Sequence, residues 1–346
     1  MRAFRFAAVP VAAAVALALA CSPDRSEEER LARGAATYSR YCALCHGDRG
    51  QGYVADNANA LAHPEFLKSA TDDLLRRAIA RGRPGTTMSG WSSSAGGPLS
   101  DGEVDDLVVF LRYWQQEDSV DIHHLKITGE VARGEPVYAD HCEECHGKRG
   151  SGGTHISIAN PELLASASDG FLKRAIQKGR YGTPMPGFIR DLTPQQIDDL
   201  VVLIRSWQRP PVDASLERPD ATAPAVLNPT GPEATFAEGR FAKVDDVKRE
   251  LDRGARLVIL DARPPSDYVF EHIAGAISAP FYEVDAHAAR IPKDVFVVTY
   301  CGCPHAESGA ALDALARKGY TRLRVLDEGY FVWKGRGYPT AKGIRP

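Results

Sequence analysis

Two short stretches of this 346-residue chain combine residue types and spacing that can do chemistry: Cys42-Ala43-Leu44-Cys45-His46 and Cys142-Glu143-Glu144-Cys145-His146. Each is a C-x-x-C-H pattern, the attachment signal of a c-type haem. Two thiols about one helical turn apart form thioethers to the haem vinyl groups, and the adjacent imidazole points at the iron. A sixth ligand has to come from elsewhere. Beyond Met1 the chain has two methionines, Met88 and Met185. They stand in matching contexts, Gly85-Thr86-Thr87-Met88-Ser89-Gly90-Trp91 and Gly182-Thr183-Pro184-Met185-Pro186-Gly187-Phe188. The pattern predicts two covalently bound haems, one ligated by His46 and Met88 and the other by His146 and Met185, a pairing that raises the reduction potential. A zinc half-site would need four N or S ligands around one ion. Core filling is a common role for methionine, but it does not explain two matched positions.

The elements that must position these groups recur as well, so the segment is an internal repeat. Ala32-Arg33-Gly34 matches Ala132-Arg133-Gly134, Arg77-Ala78-Ile79 matches Arg174-Ala175-Ile176, and Asp105-Asp106-Leu107 matches Asp198-Asp199-Leu200. The offset falls from 100 to 97 to 93, which places extra loops in the first repeat near 53–60 and 92–97. Each repeat reads as three helices: one ending at the C-x-x-C-H, a middle one stopped by Gly82 or Gly179, and a last one opened by a capping box. Ser100 and Glu103 form that box in the first repeat, and Thr193 and Gln196 in the second. The last helix carries apolar residues at helical spacing, Val104, Leu107, Val108 and Leu111 or Ile197, Leu200, Val201 and Ile204.

Residues 28–117 and 128–209 resemble class I cytochrome c, and together they resemble diheme electron carriers. The resemblance rests on C-x-x-C-H-G, a Met in a Gly/Pro-rich loop and a closing amphipathic helix. It implies two all-α cytochrome c domains. Arg83 and Arg180 follow the helix-stopping glycines; they either face a haem propionate or are solvated surface residues. A diheme peroxidase would need an open iron, which matched methionines do not leave.

The first residues read as an export signal. Arg2 and Arg5 precede an apolar stretch from Phe6 to Ala20, too short to span a bilayer. Leu17-Ala18-Leu19-Ala20-Cys21 resembles a bacterial lipobox, with Ala18 where Leu is usual, so residues 1–20 are expected to be removed and Cys21 lipidated. The other reading is a plain secretory signal. The expected location is the periplasmic face, anchored to a membrane. A net charge of −3, with no basic run interleaved with aromatics, gives no argument for nucleic acid. The expected partners are redox proteins of a respiratory or sulfur-oxidising kind.

Residues 210–235 are Pro-rich and read as a semi-extended tether. Beyond them the grammar becomes alternating strands and helices, an open parallel α/β sheet. Residues 236–346 resemble a rhodanese-like domain through Leu260-Asp261-Ala262-Arg263, Tyr268, His272-Ile273-Ala274-Gly275-Ala276-Ile277, Val298-Thr299-Tyr300-Cys301 and Leu326-Asp327-Glu328-Gly329-Tyr330. The resemblance implies a persulfide-carrying Cys301 in a loop at a helix N-terminus. The loop Cys301-Gly302-Cys303-Pro304-His305-Ala306-Glu307 departs from the family pattern: it is one residue longer and ends in an acid. Glu307 would repel thiosulfate, phosphate or arsenate. His305 would supply partial positive charge and Cys303 would resolve an oxidised Cys301. Cys301 thus marks either sulfur and thiol chemistry or a docking module with a residual cysteine. Asp261, Arg263 and His272 are expected to hold the fold.

Overall fold

The computed structural model describes residues 25–346, except Asp56, 212–217 and 303–304. Cys21 and Cys303 lie outside the described residues. No described helix is long and apolar enough to cross a membrane.

The repeated sequence signals meet in space. In the first repeat the helix Arg25–Tyr41 packs against the closing helix Asp101–Tyr113. Gly34 permits the crossing: a Cβ there would lie 2.2 Å from the Asp106 carbonyl oxygen. Arg33 Nε then reaches the buried Asp106 carboxylate at 2.7 Å. The second repeat repeats the device, with Gly134 against the Asp199 backbone and Arg133 Nε 2.8 Å from Asp199. The Arg133 guanidinium holds the Asp199 carboxyl down to about 2. The pairing therefore explains why Ala-Arg-Gly and Asp-Asp-Leu recur together. Leu107 and Leu200 bury the apolar faces of the closing helices.

Both predicted capping boxes form, at Ser100 with Glu103 and at Thr193 with Gln196. The middle helices, Asp72–Arg81 and Asp169–Lys178, end at Gly82 and Gly179, both at positive φ. Two features differ from the three-helix expectation. The C-x-x-C-H residues sit on their own short turns, Ala43–His46 and Glu143–His146. Each repeat also adds a short helix, Pro64–Leu67 or Pro161–Ser166, capped by His63 or Asn160.

Those short helices join the repeats in a two-fold manner. Glu162 accepts from Arg77 Nε at 2.9 Å, and Glu65 accepts from Arg174 Nε at 2.9 Å. His63 bonds the Tyr181 carbonyl at 2.9 Å, and Asn160 donates to the Pro84 carbonyl at 3.2 Å. Residues 63, 65, 77 and 84 correspond to 160, 162, 174 and 181, all at the offset of 97. Each methionine loop is thus tied to the helix cap of the other repeat.

The C-terminal part is α/β. Its strands are β1 (Phe241–Ala242), β2 (Leu257–Asp261), β3 (His272–Ile273), β4 (Ile277–Ser278), β5 (Phe296–Tyr300), β6 (Leu323–Leu326) and β7 (Thr340–Ala341). A five-stranded parallel sheet has the order β1-β6-β5-β2-β4, while β3 and β7 pair antiparallel. All five residues of β2 are buried, as a sheet covered on both faces requires. The Pro-rich segment does not run free along its whole length. Asp220 N–H bonds the Ile344 carbonyl, Leu227 pairs with Leu257, and Ala223, Ala225 and Ala234 are buried. These small apolar side chains supply the docking that proline content alone does not suggest.

Candidate functional site

Each C-x-x-C-H motif folds into a turn that presents its imidazole in one orientation. His46 Nδ1 lies 2.8 Å from the Asn59 carbonyl oxygen, and His146 Nδ1 lies 2.9 Å from that of Ile156. Such a bond fixes the tautomer and leaves Nε2 to ligate a metal. Burial lowers the pKa of both rings, which favours the neutral ligand form. The following glycine turns the chain at φ 78° (Gly47) or 74° (Gly147). Its carbonyl accepts from Tyr38 or Tyr138 hydroxyl at 2.7 Å, and that tyrosine packs edge-on against Trp114 or Trp207. The closing helix thereby holds the attachment turn in place.

The methionine loops are equally matched. Arg83 N–H donates to the Met88 carbonyl at 2.6 Å, and Met88 N–H donates to Thr86 Oγ1 at 3.2 Å. Arg180 N–H donates to the Met185 carbonyl at 2.8 Å, and Met185 N–H to Thr183 Oγ1 at 3.3 Å. The two Arg side chains behave unlike the other arginines of the repeats. Burial pushes both guanidinium groups down to about 10. Neither forms an ion pair among the described residues; Arg83 donates to the Gly82 carbonyl and Arg180 to that of Gly179. Arg180 also lies over the rings of Phe66 and Phe171, at 5.7 and 5.9 Å. A partly buried guanidinium that no carboxylate bonds is suited to take an anion, and a haem propionate is one. The donor set therefore fits a c-type haem in each repeat: two thiols, an anchored imidazole, a thioether and an unpaired guanidinium.

Around Cys301 the resemblance and the geometry part company in two respects. The helix begins at Ala306, with His305 as its cap at φ 73°, so Glu307 lies inside the first turn rather than in an elongated loop. His305 is engaged with Asp327. Its Nε2 bonds the Asp327 carbonyl at 2.8 Å and carboxylate at 3.0 Å, and its ring packs on Phe241. Cys301 is buried, with Sγ 3.2 Å from Ser308 Oγ. Arg263 is locked in a two-pronged bond to Asp261, at 2.9 and 2.7 Å, and donates to the Glu271 carbonyl. Tyr300 hydroxyl also donates to Asp261, and His272 Nδ1 bonds the Tyr268 carbonyl. Asp261 and Arg263 form a buried ion pair, and His272 is tied to the backbone of the same domain.

Sequence reasoning missed where this domain sits: against the first methionine loop. Ser89, next to Met88, donates its hydroxyl to the Asp267 carboxylate. Phe281 and Tyr282 pack on Tyr41 and Trp91, with ring centroids 5.4–6.5 Å apart. The helix Ala306–Arg317 lies beside the attachment turn Ala43–His46. The only sequence hint was that Ser89-Gly90-Trp91 differs from Pro186-Gly187-Phe188.

Comparison with known proteins divides the chain at the same place. Residues 29–111 and 129–204 match the family "Cytochrome C oxidase, cbb3-type, subunit III", and residues 243–336 match the rhodanese-like domain family. A cbb3-type cytochrome c oxidase subunit CcoP from Azospirillum sp. (strain B510) is 26% identical over 194 residues, covering 51% of this chain and 62% of that protein. The subunit FixP of Bradyrhizobium diazoefficiens is 26% identical over 183 residues, 51% of this chain and 60% of that protein. This chain thus spans about three fifths of the length of those subunits. A sulfurtransferase of Allochromatium vinosum is 31% identical over 83 residues, 24% of this chain and 77% of that protein. Among solved structures, the rhodanese-like domain of an Anabaena protein is 28% identical and covers 31% of this chain and 82% of that chain, with a TM-score of 0.29.

Proposed function

The chain is a tandem c-type cytochrome fused to a C-terminal rhodanese-like domain, and on that premise we propose that it is an exported diheme electron carrier with His/Met ligation in both repeats. One observation carries the proposal: each repeat assembles a thiol pair, an Nδ1-anchored histidine, a hydrogen-bonded methionine loop and a buried guanidinium lacking a carboxylate. In this reading Cys42, Cys45, Cys142 and Cys145 hold the haems, His46, Met88, His146 and Met185 are the iron ligands, and Arg83 and Arg180 face propionates. A bound haem supplies reversible one-electron exchange. The protein's part is to fix the imidazole tautomer, hold the methionine loop and exclude water. The chain reaches the membrane through lipidated Cys21 and exchanges electrons with respiratory or sulfur-oxidising redox proteins.

A haem count by pyridine haemochrome tests this. Wild type is expected to hold two covalent haems per chain, and Cys142→Ser with Cys145→Ser one. A count unchanged by that double substitution overturns the two-site reading. Met88→Ala and Met185→Ala should each remove half of the Met–Fe charge-transfer absorption.

A second reading has its own support. Gly302, the residue after Cys301, lies against Thr87 of the Met88 loop, and Asp267 of the α/β domain accepts from Ser89, which favours sulfur or thiol chemistry coupled to the first repeat.

A further inference from the structure

The two short helices that join the repeats have unusual caps. The middle and closing helices of both repeats are capped by Thr71, Ser100, Ser168 and Thr193, whose hydroxyl oxygens accept from the helix backbone. Pro64–Leu67 is capped instead by His63 and Pro161–Ser166 by Asn160, and histidine is not among the favoured N-cap residues. Asn and neutral His share one property: an acceptor and an N–H on different atoms of a planar group. Both side chains use the two at once. Asn160, a buried residue, accepts from Glu162 N–H through Oδ1 at 3.1 Å while its Nδ2 donates to the Pro84 carbonyl at 3.2 Å. His63 Nδ1 accepts from Glu65 N–H at 3.1 Å, which leaves the ring hydrogen on Nε2, 2.9 Å from the Tyr181 carbonyl oxygen.

What the caps hold is the start of each methionine loop. Thr86 N–H and hydroxyl both donate to the Arg83 carbonyl, at 3.0 and 2.7 Å, and Thr183 treats the Arg180 carbonyl in the same way, at 2.9 and 2.7 Å. With the bonds from Arg83 and Arg180 N–H to the methionine carbonyls, each loop closes on itself as one unit. A bond to Pro84 or Tyr181 therefore fixes the unit as a whole. The caps are fixed in turn, because Glu162 and Glu65 are paired with the middle helix of the opposite repeat. Arg180 adds a further crossing, its guanidinium lying 5.7 Å from the ring centroid of Phe66 in the first repeat. We propose that Asn160 and His63 are positioning residues for the axial methionine of the opposite repeat: Asn160 of the second repeat steadies Met88, and His63 of the first steadies Met185. The inference rests on His/Met ligation in both repeats. Each iron site is completed in trans, and the release of one methionine answers to the cap of the other repeat.

The test uses the full-length ferric holoprotein and follows the Met–Fe charge-transfer absorption after addition of imidazole, which takes the place of a methionine that swings away. Met185→Ala leaves Met88 as the source of that band, and Met88→Ala leaves Met185, so each background reads one iron. Serine keeps a cap acceptor and lacks the reaching N–H. Asn160→Ser is expected to speed the displacement of Met88 about five- to tenfold, the effect of losing one hydrogen bond, and to leave the displacement of Met185 unchanged. His63→Ser should do the reverse. His63→Asn imports the residue that makes both bonds in the second repeat, and it should restore most of the hold on Met185. A serine substitution that loosens the methionine of its own repeat, both methionines equally, or neither, overturns the proposal. Absence of the band from the unsubstituted protein overturns the His/Met reading itself, and the inference with it.

Discussion

The two methionine loops share a hydrogen-bonding scheme and differ in what covers them. Ser89, Gly90, Trp91 and Ser92 are buried beneath the α/β domain. Their counterparts Pro186, Gly187, Phe188 and Ile189 are half-buried or exposed, and nearby Tyr181 is 95% exposed. The attachment turns follow suit: Ala43 and His46 are buried in the first, while no residue of Glu143–His146 is. The repeats carry equivalent loops, and the α/β domain makes their surroundings inequivalent. The first is turned inward against Asp267, Phe281 and Tyr282, and the second keeps an open face.

The sharpest way to break this comparison is to truncate the same position in both repeats. Trp91 is 6% exposed and packs on Tyr41, Phe281 and Tyr282. Trp91→Ala should cost about 3–5 kcal/mol, the usual range for deleting a buried aromatic. Phe188, half-buried against His141, should cost roughly half as much on truncation. Denaturant unfolding of the holoprotein measures both. Equal costs would mean that the α/β domain adds nothing to the first repeat.

A pH series gives a smaller effect at the same boundary. Burial pushes the Asp267 carboxyl up to about 6, from an ordinary 3.8. The folded chain therefore binds this proton more tightly than the unfolded chain. The stability it contributes is present below pH 3.8 and is lost as pH rises through 6. The loss is on the order of 2–3 kcal/mol. Asp267→Asn should flatten that part of the stability profile relative to wild type. A slope that persists in the variant assigns it to another group.

Local chemistry was legible in the sequence because it is encoded within a few residues. C-x-x-C-H, the capping boxes and the helix-stopping glycines each need only their neighbours, and β2, β5 and β6 follow from apolar β-branched runs. The burial of Arg83 was not legible, because its lack of a carboxylate is a property of the packed structure. Nor was Ser89 with Asp267, a pair 178 positions apart. The helix at Glu307 began earlier than the loop length suggested, since an acid at a helix N-terminus is also compatible with the first turn. The boundary between repeats was a nearer miss. Pro64-Glu65 and Pro161-Glu162 share the offset of Arg77 and Arg174, so the cross-pairing was written in the repeat register.

That cross-pairing yields the smallest of the contrasts. The two ion pairs are related by the internal two-fold but differ in burial. The Glu162 side chain is 2% exposed and serves both Arg77 and Arg81, whereas Glu65 is 24% exposed. Removing a charge acceptor costs more where water cannot replace it. Arg77 and Arg81 are about one third exposed, so they regain hydration, and the loss stays below that of a fully buried pair. Glu162→Gln should therefore cost about 2 kcal/mol, and Glu65→Gln about 0.5–1 kcal/mol. Added salt should shrink the second value more than the first, because exposed pairs are the better screened. If the two substitutions cost the same at low and at high salt, then the interface between the repeats is symmetric in energy as well as in sequence, and the asymmetry of the molecule resides wholly in the α/β domain.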